Sequence, residues 1–371
     1  MQDFARELDQ LLSMVPAPLE PLPPGDYVIY GAGNIGREVA SRLSGSDKNV
    51  RAFLDRRDLG SVDGIPVYSP GSAEARKLAG EGTTAVVGVF NYAADPHEIQ
   101  MLLTGLGFRR VVSFLELREH VPLPPHFWLS SRRHVLDCRE RIAAAGMLLD
   151  DDKSRHVYLD WLRLRLHMDT SLLRNPDLDQ QYLPDDLPRP KQPMRFIDGG
   201  TFNGDTIEFF LRKGVIFEAV AAFEPDRENF RALCDTAHKL EGRLGVASYW
   251  PCGLGDATSI AQFCAGRDMA SVVSGHGDTP VELAALDRAL PHFRPTFIKL
   301  DIEGSELAAL RGGREIIQKN QPVLAVCVYH RPEDLWEIPL YLRELLPGHR
   351  IALRYHKYYA LETVAYAMLP S

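Results

Sequence analysis

The stretch FIDGGTFNGDT, Phe196 to Thr206, decides how the C-terminal half of this 371-residue chain is read. Its apolar start predicts a strand ending at Asp198. Gly199, Gly200 and Gly204 then turn the chain into a helix predicted over Asp205–Lys213. Glycines at such a turn let the backbone approach a ligand, and the amides that open the helix point at it. The spacing is GGxxxG rather than GxGxxG, and a carboxylate stands immediately before it. That charge would oppose the pyrophosphate of a dinucleotide. It suits better a cationic sulfonium with a zwitterionic amino acid tail, as in S-adenosylmethionine (AdoMet), with Asp198, the three glycines and Asp205 as candidate cofactor residues; alone the loop supports only some nucleoside-bearing ligand, and a structural glycine turn is the plainer alternative.

Three further runs extend the reading. AVAAFEPD ends a predicted strand at Glu224, about 20 residues on, where an acid can take both hydroxyls of a ribose. A solvated loop acid is the plainer alternative. FIKLDIEGSEL delivers Asp301 to the carboxyl edge of a parallel strand, where ligands bind in open α/β sheets. Glu303 and Glu306 follow at a helix start. Favourable placement at the positive helix end competes with function for Glu303 and suffices for Glu306. VLAVCVYH brings His330 to the end of a neighbouring strand, as a general base with Asp301 orienting it or the substrate. A structural histidine is the alternative. Asp301, Glu303 and His330 would also suit a divalent cation such as Mg²⁺, although nothing in the sequence demands one.

At these runs the sequence resembles the FkbM-type AdoMet-dependent methyltransferases, over Arg195 to about Met368. The resemblance rests on FIDGGTFNGDT, AFEPDRENF, LGD at Asp256, IKLDIEGSELAALRGG and the terminal ETVAYAM. Upstream, DDKSRHVYLDWLRLRL and QQYLPDD also look like segments of longer members. The resemblance implies a seven-stranded class I methyltransferase fold and methyl transfer, usually to oxygen, on sugars or natural products. By similarity, Asp198, Gly200 and Gly204 would line the methionine end of AdoMet, Glu224 its ribose, and a residue between Cys252 and Asp256 its adenine. Many members have a GANIGD-like loop where this chain has GGTFNGD, bulkier at Phe202. Tyr182, in the loop before the domain, would cap the cofactor or simply lie on the surface.

The N-terminal half carries YVIYGAGNIGREVA and then VRAFLD. Gly31, Gly33 and Gly36 open a helix after a strand, and Asp55 comes about 20 residues on, as in a dinucleotide site. The following run, DRRDLGSVDGIPVYSP, resembles Rossmann-like domains attached to sugar-modifying enzymes, which bind part of a nucleotide sugar or nothing. No YxxxK follows, and His97 and His120 stand alone. Substrate binding or scaffolding is the expected role, with NAD or another nucleotide second.

The whole chain is expected to form two Rossmann-like, doubly wound α/β domains at 1–125 and 195–371, joined by a helical connector and loop at 126–194. Helices are predicted over Ile35–Leu43, His97–Leu106, Arg133–Leu149, Lys153–His167 and Ser305–Lys319. The acidic triplet Asp150–Asp152 suits a helix N-cap. A composition of 45% apolar and 25% charged residues is ordinarily globular. The net charge of −8 gives no case for nucleic acid. No window nears the roughly 18 apolar residues of a membrane span, and the start lacks the pattern of a secretory signal. Five scattered cysteines (Cys138, Cys234, Cys252, Cys264, Cys327), with no CxxC pair, suggest neither zinc nor disulfides and a reduced, cytoplasmic protein. A small-molecule acceptor is the expected partner, and a homo-oligomer is compatible with the sequence. Two other readings stay open: an NAD-dependent oxidoreductase or epimerase working at the GAGNIG loop, and a non-catalytic protein that binds AdoMet or a nucleotide.

Overall fold

The computed structural model describes every residue except 15, 45–46, 125, 264–278 and 371, so Cys264 lies outside the described residues. The chain divides into two units. One comprises Met1–Arg139, His156–Leu178 and Tyr355–Leu361; the other comprises Glu140–Arg155, Asp179–Arg354 and Glu362–Ser371. Residues 126–194 are thus shared out between both.

In the first unit, strands β1 (Gly25–Tyr30), β2 (Lys48–Leu54), β3 (Ser61–Val62), β4 (Ile65–Tyr68), β5 (Thr84–Val87) and β6 (Val111–Val112) form one sheet in the order β3-β4-β2-β1-β5-β6. All its pairings are parallel except the β3–β4 hairpin. Buried parallel strands read as continuous apolar runs, and the segment YVIY of β1, without alternation, is the result. Val28, Leu54, Val87, Leu103 and Phe108 join in one apolar core. Helix Pro96–Gly105 starts where expected because Asp95 caps it, accepting from the amides of His97 and Glu98, with proline in the first turn.

The second unit is built on β7 (Met194–Gly199), β8 (Phe217–Phe223) and β9 (Val246–Trp250). A small sheet follows, of β10 (Gly253–Leu254), β11 (Ser259–Phe263) and β12 (Thr279–Ala284). The main sheet is completed by β13 (Phe297–Leu300), β14 (Val323–Cys327), β15 (Arg350–Tyr355) and β16 (Thr363–Met368). Its order is β15-β16-β14-β13-β7-β8-β9. The strands from β14 to β9 run parallel, and β16 is antiparallel to β14. This is the seven-stranded α/β sheet expected from the sequence. The order reverses between β7 and β13, so the crevice at a topological switch point opens at their carboxyl ends. Phe196, Phe210, Phe217 and Phe297 pack ring against ring beneath it, with centroids 5.2–6.4 Å apart.

Two predicted helices are broken. Arg133–Leu149 is divided into Arg132–Asp137 and Arg139–Gly146, and Ser305–Lys319 into Glu306–Gly312 and Arg314–Asn320. The second break has a plain cause. Gly312-Gly313 weakens the helix, and the Asp287 carboxylate accepts from the amides of Glu315 and Ile316, capping a new one. Asp151 caps helix Asp152–His167, accepting from the Ser154 amide at 2.8 Å. Among the described residues no helix is long and apolar enough to cross a membrane.

Candidate active site

The strand β7 runs apolar until Asp198, which is fully buried. A carboxylate there needs a partner, and the strand beside it supplies one. Lys299, in the middle of β13 and itself 2% exposed, brings its ammonium within 3.1 Å of Asp198 Oδ1. The same ammonium donates to the Gly200 carbonyl. Beyond Lys299, no described group donates to either oxygen of Asp198. Burial raises the Asp198 carboxyl above its usual range, and the lysine opposes that rise. Burial would lower the Lys299 ammonium, but Asp198 and Asp301 hold it well above its ordinary value. Sequence reasoning missed Lys299; its signal was a charge interrupting an apolar strand.

The glycine loop lies against the end of β13. Gly200 has φ +74°, and a Cβ there would stand 1.8 Å from the Asp301 carbonyl oxygen. Only glycine permits that contact. The amides of Gly200 and Thr201 both donate to the Phe223 carbonyl, tying the loop to β8. Phe202, the residue that sets the loop apart from GANIGD-like ones, has φ +53° and is 46% exposed. Gly204 is the left-handed N-cap of helix Asp205–Arg212, and Asp205 accepts from the Thr206 amide in its first turn.

Glu224 follows β8 directly and is buried. Its Oε2 accepts from the Phe202 amide at 2.8 Å and its Oε1 from the Asp226 amide at 2.9 Å. Burial pushes its carboxyl up to about 7, against those two bonds. A carboxylate has about four acceptor positions, so two remain beyond these two amides. Cys252 is buried near the start of β10, its thiol pushed up by burial to about 11. Asp256 is exposed just beyond β10, and no described contact joins it to this group.

At the ends of β13 and β14 the structure gathers Asp301, Glu303, Glu306 and His330. Glu306 is completely buried; its Oε1 accepts from the Ile302 amide and stands 2.8 Å from His330 Nδ1. His330 Nε2 faces Asp301 Oδ1 at 3.3 Å and Glu303 Oε2 at 3.6 Å. The side chains of Asp301 and Glu303 keep 21% and 26% exposure, whereas those of His330 and Glu306 lie behind them. Glu303 has φ +54°, an uncommon conformation for a residue with a side chain, and it precedes Gly304 at φ +94°. Burial lowers the imidazole's affinity for its proton, but Glu306, Glu303 and Asp301 reverse this and hold His330 well above its ordinary value. Burial pushes the Glu303 carboxyl up to about 8. Asp301 is held below the carboxylate range: its burial is outweighed by the hydrogen bond from His330 and the charge of Lys299.

Tyr182 is buried, and its hydroxyl donates to Asp301 Oδ2 at 2.8 Å while its amide donates to the Tyr366 hydroxyl. It therefore steadies Asp301 from beneath. Gln181 donates to Glu362, whose carboxyl burial pushes up to about 7. Neither Glu362 nor the anchoring role of Glu306 was foreseen. The pattern of a helix-end acid accounts for Glu306 in sequence, and only the fold brings the histidine from β14 against it.

In the other unit, Gly33 caps helix Asn34–Leu43, and a Cβ on Gly36 would stand 1.9 Å from the Gly31 carbonyl oxygen. Glycine at position 36 is thus required where the helix packs against the turn that follows β1. Asp55 lies at the end of β2, and its Oδ1 accepts from the Arg57 amide and Nε, its Oδ2 from the Ala32 amide and Arg57 Nη2, all within 3.0 Å. Those four donors fill the acceptor positions a ribose would need. The Arg57 hydrogen bonds also hold the Asp55 carboxyl well below its ordinary range, against burial.

Residues 198–357 match the family model for the methyltransferase FkbM domain. Among solved structures, the chain is similar to methyltransferase FkbM from Methylobacillus flagellatus KT, at a TM-score of 0.78 and 22% identity. The match covers 99% of this chain and 98% of that one, so the whole fold is shared. No curated protein matches the chain significantly.

Proposed function

The C-terminal domain being an FkbM-type methyltransferase domain, we propose that this chain transfers a methyl group from AdoMet to a hydroxyl of a sugar or natural product. One observation carries the choice of cofactor site. Glu224 keeps two acceptor positions for ribose hydroxyls, whereas the corresponding acid of the GAGNIG loop, Asp55, has all four taken. A second supports it. The buried Asp198 oxygens lack any donor beyond Lys299, which fits the ammonium of an amino acid tail.

AdoMet supplies a methyl carbon already activated by its sulfonium. The residues of this chain then have to align the two molecules and receive one proton. Asp198 with the Gly199–Gly204 loop would hold the amino acid end, and Glu224 the ribose. The acceptor oxygen gains the methyl carbon and loses its proton, while sulfur keeps the electron pair of the broken bond. The proton would pass to a carboxylate at the rim, Asp301 or Glu303. His330 alone is not assigned the role of general base, because Glu306, Glu303 and Asp301 raise its affinity for a proton against its burial.

The test is methyl transfer from labelled AdoMet to pooled sugars and secondary metabolites, read as a mass gain of one methylene with release of S-adenosylhomocysteine. The reading predicts transfer that Asp301→Asn abolishes. Tight AdoMet binding without transfer to any acceptor would favour a non-catalytic role.

A further inference from the structure

We infer that the rim of this site binds a divalent cation of the Mn²⁺ or Mg²⁺ class, held by His330 Nε2, Asp301 and Glu303. The inference rests on the methyltransferase reading of the same site and adds the ion to it.

The first ground is the setting of the histidine. Metal-bound imidazoles almost always give their other ring N–H to a carboxylate, a backbone carbonyl or a water, which fixes the tautomer and the ring plane. Glu306 does this for His330: it is completely buried, itself held by the Ile302 amide, and 2.8 Å from Nδ1. With Nδ1 committed to Glu306, Nε2 is the nitrogen that meets Asp301 and Glu303.

The second ground is spacing. Bonds of about 2.1 Å to a common cation separate neighbouring ligand atoms by about 3.0 Å in an octahedron and about 3.4 Å in a tetrahedron. Nε2 stands 3.3 Å from Asp301 Oδ1 and 3.6 Å from Glu303 Oε2. Both exceed the usual length of a charge-assisted hydrogen bond, about 2.7–2.9 Å, and lie close to coordination edges.

The third ground is an unmet acceptor. Glu306 Oε2 is buried and accepts nothing from any described residue. It belongs to the carboxylate that holds His330 Nδ1, so the cluster carries acceptor capacity that no described donor uses. One imidazole with two carboxylates suits an oxygen-preferring ion that keeps some of its waters. Bound there, the ion would lower the pKa of an acceptor hydroxyl entering its shell.

The test uses the full chain stripped with chelator and titrated with Mn²⁺, free ion being read by electron paramagnetic resonance. One saturable site is expected, absent in His330→Ala and Asp301→Asn and weakened about 10- to 100-fold in Glu306→Gln. Each protein is also titrated with AdoMet by calorimetry in the presence of chelator. If the wild type binds AdoMet but takes up no Mn²⁺ at millimolar concentration, the cation is refuted while the cofactor reading stands. Mn²⁺ uptake unchanged by His330→Ala refutes it as well. If His330→Ala fails to fold, Glu303→Gln and Glu306→Gln decide, and unaltered Mn²⁺ affinity in both overturns the proposal. Failure to bind AdoMet at all counts separately, against the methyltransferase reading.

Discussion

Replacing Lys299 by methionine removes an ammonium while keeping most of the side-chain volume. It leaves Asp198 fully buried, with its counter-charge gone and no other described donor. Breaking a buried ion pair from one side costs about 3–5 kcal/mol, because the remaining charge is uncompensated. Asp198 can escape part of that cost by taking up a proton, since burial already raises its carboxyl. The sign follows from linkage: a carboxyl raised on folding is penalised above its unfolded value and relieved below it. The loss should therefore be about 3–5 kcal/mol near pH 8 and clearly smaller near pH 5, measured by urea denaturation. Asp198→Asn combined with Lys299→Met should cost less than the sum of the two single changes, as coupled neighbours do. A loss under about 1 kcal/mol at both pH values, or strict additivity in the double variant, would refute the ion pair as the support of this loop.

Other expectations follow from the same geometry. Gly200→Ala must move the loop away from the Asp301 carbonyl, since 1.8 Å is no contact at all; a shift of about 1 Å in an aligned site costs about 100-fold in turnover, measurable by S-adenosylhomocysteine release. Glu224 should make AdoMet affinity pH-dependent. Its carboxyl, raised to about 7, loses acceptor strength as pH falls through that value, so calorimetric affinity should drop from pH 8 to pH 6, and the dependence should vanish in Glu224→Gln. Phe210→Ala empties part of the aromatic cluster under the site and should cost about 3–5 kcal/mol in denaturant titration.

The fold was legible where period and punctuation agree. FIDGG, AVAAFEP, FIKLD and VLAVC are apolar runs ended by a polar residue, and parallel strands covered on both faces have to look like that. The small sheet of β10, β11 and β12 was not legible, because β10 is two residues long and β11 carries exposed side chains such as Ile260. The break at Gly313 depends on Asp287, distant in sequence, which no local propensity reports. The site divides in the same way. Strand ends and spacing announce the positions of Asp198, Glu224 and Asp301 at the carboxyl edge of the sheet. Lys299, Glu306 and Glu362 take their meaning from partners on other strands. The same limit affected the N-terminal motif: GAGNIG with Asp55 has the spacing of a dinucleotide site, but Arg57, two residues on, occupies the acid.

The most direct test of the account is calorimetric titration of the full chain with AdoMet and, separately, with NAD⁺. The account predicts one AdoMet site per chain, strongly weakened by Glu224→Ala and Asp198→Ala and unaffected by Asp55→Asn. AdoMet failing to bind, or NAD⁺ binding in a way that depends on Asp55 while AdoMet does not bind, would contradict it.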